Sequence, residues 1–218
     1  FDAYVLPDGS GVDYGGLATS PVMADFVVAA SRLAAISDNE AEAMGQLSKA
    51  FWINIYNALV MHANVVVGHP QNQEERSAFF SGASGARYKV GPWAFSLDDI
   101  EHGILRGSPE GDARGFSISD PRKKMAVEKV DPRIHFALNC GAKSCPPVKI
   151  FTAGGLEKEL KAVAASFVAS EVSVPDETGE IRMSKIFDWY GSDFAANDKA
   201  LLRKLISYLP YTSRLRPS

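Results

Sequence analysis

Both cysteines of the chain, one of its four histidines and three of its twelve prolines fall within Asp131-Pro-Arg-Ile-His-Phe-Ala-Leu-Asn-Cys-Gly-Ala-Lys-Ser-Cys-Pro-Pro147. A thiol within reach of an imidazole is the pairing used in nucleophilic acyl transfer, because the ring takes the thiol proton and returns it to the leaving group. Cys145 is the better placed of the two thiols. It follows the Gly141-Ala-Lys-Ser144 turn and precedes Pro146-Pro147, where the free backbone N–H groups of a proline-started helical turn favour thiolate, with Lys143 adding to the effect. Each cysteine also has a plain reading as a small buried hydrophobe. A disulfide between them would close only a short loop, which the spacing permits but does not require.

His135 is the imidazole inside this segment. Ile134, Phe136 and Leu138 alternate with His135, Ala137 and Asn139, a period of two that predicts a half-buried strand with His135 and Asn139 on one face and Cys140 on the apolar face. A zinc site from His135, the two cysteines and a second histidine has acceptable ligand types. Its Cys-x4-Cys spacing and opposed strand faces fit poorly, so no metal and no cofactor is expected. The chain has neither a Gly-rich phosphate loop followed by Lys-Ser or Lys-Thr nor a Gly-x-Ser-x-Gly elbow, which argues against nucleotide hydrolysis and serine-hydrolase chemistry.

The elements around the segment are predominantly helical. Ser20-Pro21 is an N-cap and first-turn proline for a helix to about Ile36, and Ser37 or Asp38 opens another that runs toward Val67 with Gly45 as its possible interruption. Phe51-Trp-Ile-Asn-Ile-Tyr-Asn-Ala-Leu-Val-Met-His-Ala-Asn64 is apolar nearly all round and predicts a buried central helix. Asn54, Asn57 and Asn64 form one stripe on it, and buried amides need partners: either a polar network that clamps a neighbouring segment, or a cleft that binds substrate. His62 lies outside the stripe and reads as a core histidine, and His69 as an exposed loop residue. A short helix at 71–80, a hairpin at 88–95, a helix at 97–105 capped by Ser96, a loop from Gly107 to Pro121, a helix beginning at Thr152, a hairpin at 172–183 and helices at 186–196 and 199–209 complete the order. That order lacks regular strand–helix alternation. It predicts one α+β domain over 1–218, with helices packed around a small, mainly antiparallel sheet.

A hydrophobic fraction of 46% in 218 residues can bury a large core. The net charge of −3 offers no footprint for nucleic acid or an anionic membrane, and no apolar run reaches the ~18 residues needed to span a bilayer. A soluble, intracellular protein is expected, with no nucleic-acid and no membrane partner. Because Phe1 follows no initiator methionine, further domains on a longer chain are expected too.

Three blocks, Phe51-Trp-Ile-Asn-Ile-Tyr-Asn-Ala-Leu59, Ser96-Leu-Asp-Asp-Ile-Glu-His-Gly-Ile-Leu-Arg106 and the Asp131–Pro147 segment, resemble the signature blocks of the family called domain of unknown function 547. With Lys185-Ile-Phe-Asp-Trp-Tyr190, the resemblance covers about Ser48 to Tyr190. The family's name leaves its activity open. Some eukaryotic members carry glutaredoxin-like or DEP modules on the same chain, which by analogy implies thiol chemistry or signalling scaffolds.

The resemblance brings Glu101 and His102 into the candidate site. His102, with Asp98 and Asp99 upstream and Glu101 adjacent, is the preferred general base for Cys145, and His135 is the alternative. The arrangement expected is papain-like or transglutaminase-like, with His before Cys in chain order. Arg106 and Arg133 are candidates for binding a substrate carboxylate, and Asn139 joins Asn54 and Asn57 as a candidate substrate contact. The functional expectation is a cysteine-dependent hydrolase or transferase acting on a peptide-like or thiol-containing substrate. The alternative is a non-catalytic peptide- or protein-binding module in which the same Cys, His and Asn motifs serve the fold.

Overall fold

The computed structural model describes residues 4, 6, 12–47, 49–140, 148–173 and 180–209, with the backbone alone at 44–47. At its centre lies α4 (Lys49–Val66), whose Trp52, Ile53, Tyr56, Leu59, Val60 and Ala63 are buried. Before it come α1 (Tyr14–Ala18), α2 (Pro21–Ser31) and α3 (Asp38–Leu47). Ser20 caps α2 by accepting a hydrogen bond from the Met23 amide, with Pro21 in the first turn as expected. The helix backbone of α3 continues through Gly45, and α3 and α4 are parted by residue 48, which lies outside the described residues.

After α4, the helix α5 (Gln73–Ser81) is capped by Asn72. The strands β1 (Tyr88–Val90) and β2 (Trp93–Phe95) pair antiparallel, with Tyr88 opposite Phe95 and Val90 opposite Trp93. Gly91 makes the two-residue turn possible: its φ is +59°, and a Cβ there would come within 2.8 Å of the Ile36 carbonyl oxygen. The second hairpin pairs β3 (Val172–Ser173) with β4 (Arg182–Met183). The fold is thus α+β, with its described strands in two separate antiparallel hairpins among helices. No helix among the described residues is long and apolar enough to cross a membrane.

The predicted strand at 134–138 is instead a 3-10 helix, Pro132–Phe136. Asp131 caps it by accepting from the Arg133 amide at 3.2 Å, and Pro132 presets its first turn. The alternation was uninformative because Ile134, His135, Phe136, Ala137 and Leu138 are all buried. With no solvent face, a period of two has nothing to report, and His135 and Asn139 share no strand face. The helix α6 (Leu156–Glu171) packs on this segment, stacking Phe167 on Phe136 with ring centroids 4.7 Å apart. It starts four residues after the predicted Thr152, which instead binds Glu159 through both its amide and its hydroxyl, each at 2.8 Å. The helices α7 (Ile186–Phe194) and α8 (Asp198–Tyr208) complete this side, with Phe187 and Phe194 against Phe136.

The amide stripe of α4 clamps backbone. Asn57 donates to the Ala137 carbonyl at 3.0 Å and accepts from the Asn139 amide at 2.9 Å. Asn54 does the same to both backbone groups of Phe151, at 2.8 and 2.9 Å. These two side chains therefore grip the chain on either side of 141–147. Asn64 donates to its own helix and meets exposed His69 at 3.0 Å. His62 sits edge-on to Phe26 and bonds the Tyr88 hydroxyl at 2.9 Å, and burial lowers its pKa. Removing the Asn57 amide strands two backbone groups, so Asn57→Ala is expected to lower unfolding free energy by about 2–3 kcal/mol in urea denaturation. A loss below about 1 kcal/mol would show that water replaces the clamp at no cost.

Candidate functional site

The site is built on a buried helical segment opened by a capping box. The Ser96 amide donates to the Asp99 carboxylate at 2.9 Å and the Asp99 amide to the Ser96 hydroxyl at 3.1 Å. The helix was expected here, but Asp99–Leu105 is wound as a π-helix, with the Arg106 amide reaching the Glu101 carbonyl at 2.9 Å. Such wide turns recur at functional sites. Every residue from Ile100 to Leu105 is buried, so Glu101 and His102 are enclosed even though they are neighbours.

Glu101 is only 6% exposed and accepts from Tyr190 at 2.6 Å and from Tyr56 at 3.0 Å, one phenol on each carboxylate oxygen. Burial penalises its charge, but His102, His135 and the two phenols outweigh that penalty and hold its pKa below the ordinary glutamate value. Both tyrosines are pushed upward, first by burial and then by Glu101, and remain phenols.

Two imidazoles flank this carboxylate, each held by an aspartate. His135 Nε2 lies 2.8 Å from Asp193 Oδ2, and its ring stacks on Tyr190 with centroids 3.9 Å apart. In the neutral ring this carboxylate favours the tautomer with the proton on Nε2, which leaves Nδ1 as the acceptor. His102 Nδ1 lies 2.9 Å from Asp112, while its Nε2 stands 3.9 Å from Asp98 and 3.8 Å from Glu101. Burial, opposed by Glu101, lowers the His102 pKa.

Arg106 joins the two pairs. It makes a two-pronged contact with Asp193, Nε at 2.6 Å and Nη2 at 2.9 Å, and its Nη1 contacts both Asp112 and His102 Nδ1. Asp112 comes from the 107–120 loop, which is seated by Phe116. The Phe116 ring lies where a Cβ on Gly103 would meet it at 2.5–2.7 Å, and Ser108 links the Gly103 carbonyl to the Phe116 amide at 3.0 and 2.9 Å. Gly103→Ala is therefore expected to displace the loop and loosen Asp112 from His102.

A cleft of about 590 Å³ opens onto these groups, with Glu101, His102, His135, Tyr56, Asp98 and half-buried Cys140 in its lining. Cys140 is close enough to Tyr56 to raise its phenol pKa further. Asp98 is pushed up to about 6 by burial and by the neighbouring acids Glu101, Asp99 and Asp112, against Arg114. A raised carboxyl pKa means that the folded state holds the proton more tightly than the unfolded chain. Its contribution falls as pH rises from about 4 through about 6. Asp98→Asn is expected to stabilise the protein at pH 7 by about 1–3 kcal/mol and to flatten that decline, read by denaturation at pH 4, 6 and 7.

The structure thus gathers Glu101, His102, His135 and Cys140 at one cleft. Cys145 lies outside the described residues. Asn54, Asn57 and Asn139 are joined to the backbone clamp rather than the cleft lining. Arg106 is buried on two aspartates, and Arg133 is paired with Asp131 and Glu157 at 2.7 Å each, so the carboxylates these arginines bind belong to the protein. Sequence reading does not single out Tyr56, Asp112, Tyr190 or Asp193. Asp193 left a trace, a lone acid beside Ile186 and Tyr190 on the same arc of a short amphipathic helix. Asp112 left none, standing in a polar loop.

The fold and site define a helix-rich α+β domain whose cleft is floored by two aspartate-held imidazoles around a buried glutamate. Residues 42–168 match the family described as protein of unknown function, DUF547, and the chain belongs to that family. Tyr190 and Asp193, which complete the site, lie beyond the matched residues. No curated protein and no solved structure matches the chain.

Proposed function

We propose that the domain is a cysteine-dependent acyl-transfer enzyme, a hydrolase or transferase on a peptide-like or thiol-containing substrate, with His135 as base and Asp193 as the group that orients it. The observation that carries this reading is the 2.8 Å His135–Asp193 bond in a cleft that Cys140 also lines. It leaves Nδ1 of a buried ring as the acceptor for a thiol proton. Cys140 is the described thiol for the role, and Cys145 remains the second candidate.

In the first step His135 Nδ1 takes the thiol proton and the sulfur forms a bond to the acyl carbon. The tetrahedral adduct expels its leaving group, which departs with the proton from Nδ1. Water or an acceptor thiol or amine then gives its proton to the same nitrogen and attacks the thioester, releasing the acyl product and regenerating the thiol.

The test is the pH-dependent rate of iodoacetamide labelling at each cysteine, read by peptide mass spectrometry. A thiol that labels fast with an apparent pKa well below ~8.5, slowed at least about tenfold at pH 7 in His135→Ala and Asp193→Asn, is the expected result. Slow labelling of both cysteines in folded protein would remove the nucleophile. That outcome would favour the binding-module reading, which draws support from the Asn54 and Asn57 clamps, since these show motif residues serving the fold.

A further inference from the structure

Two helices contribute to the lining of the cleft residues that the acyl-transfer chemistry does not use. From α5 come Arg76 and Phe80, four apart on one face, and from α7 come Ile186 and Trp189. Trp189 is 65% exposed although it is the largest apolar side chain on its helix. Arg76 lies over the Phe80 ring, 4.6 Å from its centroid. Among the described residues no carboxylate pairs with it, whereas Arg106, Arg114, Arg122 and Arg133 all hold carboxylates. A half-buried guanidinium set on an aromatic ring, in a cleft that an exposed indole also lines, is a ready receptor for an anion attached to an apolar group.

We infer that Arg76 and Trp189 form a subsite for a carboxylate borne next to an aromatic or aliphatic side chain, so that the substrate is an anionic, peptide-like acyl compound. This rests on the cleft being the substrate site proposed above. A carboxylate suits the cleft better than a phosphate. A dianion would add a second charge in a space that already holds Glu101 and Asp98, while a monoanion is matched by one guanidinium. Arg114, the other cleft arginine, is occupied by Asp112, at 3.1 Å.

The carboxylate can be a chain terminus or an acidic side chain, and four probes separate the possibilities. Titrations with N-acetyl-phenylalaninate, N-acetyl-glutamyl-phenylalaninamide, neutral N-acetyl-phenylalaninamide and phenyl phosphate are followed by 15N shifts of the Trp189 indole N–H and the Arg76 side-chain N–H. At least one carboxylate probe is expected to bind about tenfold or more tightly than the neutral amide, with the difference shrinking to about twofold in Arg76→Gln and partly retained in Arg76→Lys. Trp189→Ala should weaken all probes alike. Equal binding of acid and amide, a preference unchanged in Arg76→Gln, tighter binding of phenyl phosphate, or no shift with any probe would each overturn the subsite. Because none of these readouts needs a reactive thiol, loss of the subsite and loss of the acyl-transfer reading are separately visible.

Discussion

Replacing Arg106 with Gln is expected to lower the unfolding free energy at pH 7 by about 3–5 kcal/mol, since it leaves the enclosed Asp193 carboxylate without its cation and takes one of two arginines from Asp112. For a chain of this size that corresponds to a fall of about 10 °C in Tm. Arg106 and Asp193 are both buried, and their two-pronged contact satisfies both carboxylate oxygens. Burial pushes Asp193 up, but His135 and Arg106 overcome it and hold it well below the usual carboxylate range. Asp112 is held at about 2, against burial, chiefly by hydrogen bonds from Arg114 with help from His102.

Carboxyls with depressed pKa contribute stability that is present above their unfolded value near 4 and lost as pH falls through the folded value. The wild-type advantage over Arg106→Gln should therefore shrink below pH 4, as Asp193 takes up its proton. Denaturation at pH 7 and pH 3 checks both points. A difference below about 1 kcal/mol at pH 7, or an equal one at both pH values, would mean that the aspartates do not depend on this cation.

Glu101→Ala is expected to cost about 3–4 kcal/mol, because it leaves the hydroxyls of Tyr56 and Tyr190 without their acceptor in a buried space. Glu101→Gln keeps one acceptor and should cost less, about 1–2 kcal/mol. The electrostatic consequence is separable from the packing one. Glu101 raises the His102 pKa against the larger effect of burial, so either substitution should move the His102 titration to lower pH in an NMR pH series. If the titration stayed in place while stability fell, Glu101 would be a structural acceptor only, with no influence on the imidazole.

Much of the local architecture was legible before any tertiary contact was known. The 88–95 hairpin follows from Gly91-Pro92 between short apolar runs, and the Ser20 and Ser96 caps follow from short polar side chains ahead of helical patterns. These features depend on neighbours three or four residues away. The 132–136 segment was misread as a strand for a complementary reason. Its pattern was clear, but the segment is covered on all sides, and the Asp131-Pro132 start, a helix signal in its own right, outweighed an alternation that had no exposed face to mark.

The candidate site shows the same division. The sequence by itself determined that a short helix capped by Ser96 would carry Glu101 and His102, that α4 would bring a stripe of amides into the core, and that His135 and Cys140 would stand close along the chain. Only the tertiary structure decided what those groups meet. His135 finds Asp193 58 positions away and Glu101 finds Tyr190 89 positions away, while Asn57 spends its amide on backbone 80 positions away. A buried charge or amide must be satisfied wherever it is enclosed, so the sequence states the need for a partner. Which partner answers it depends on how α7 and the 107–120 loop pack, and short-range spacing carries no record of that.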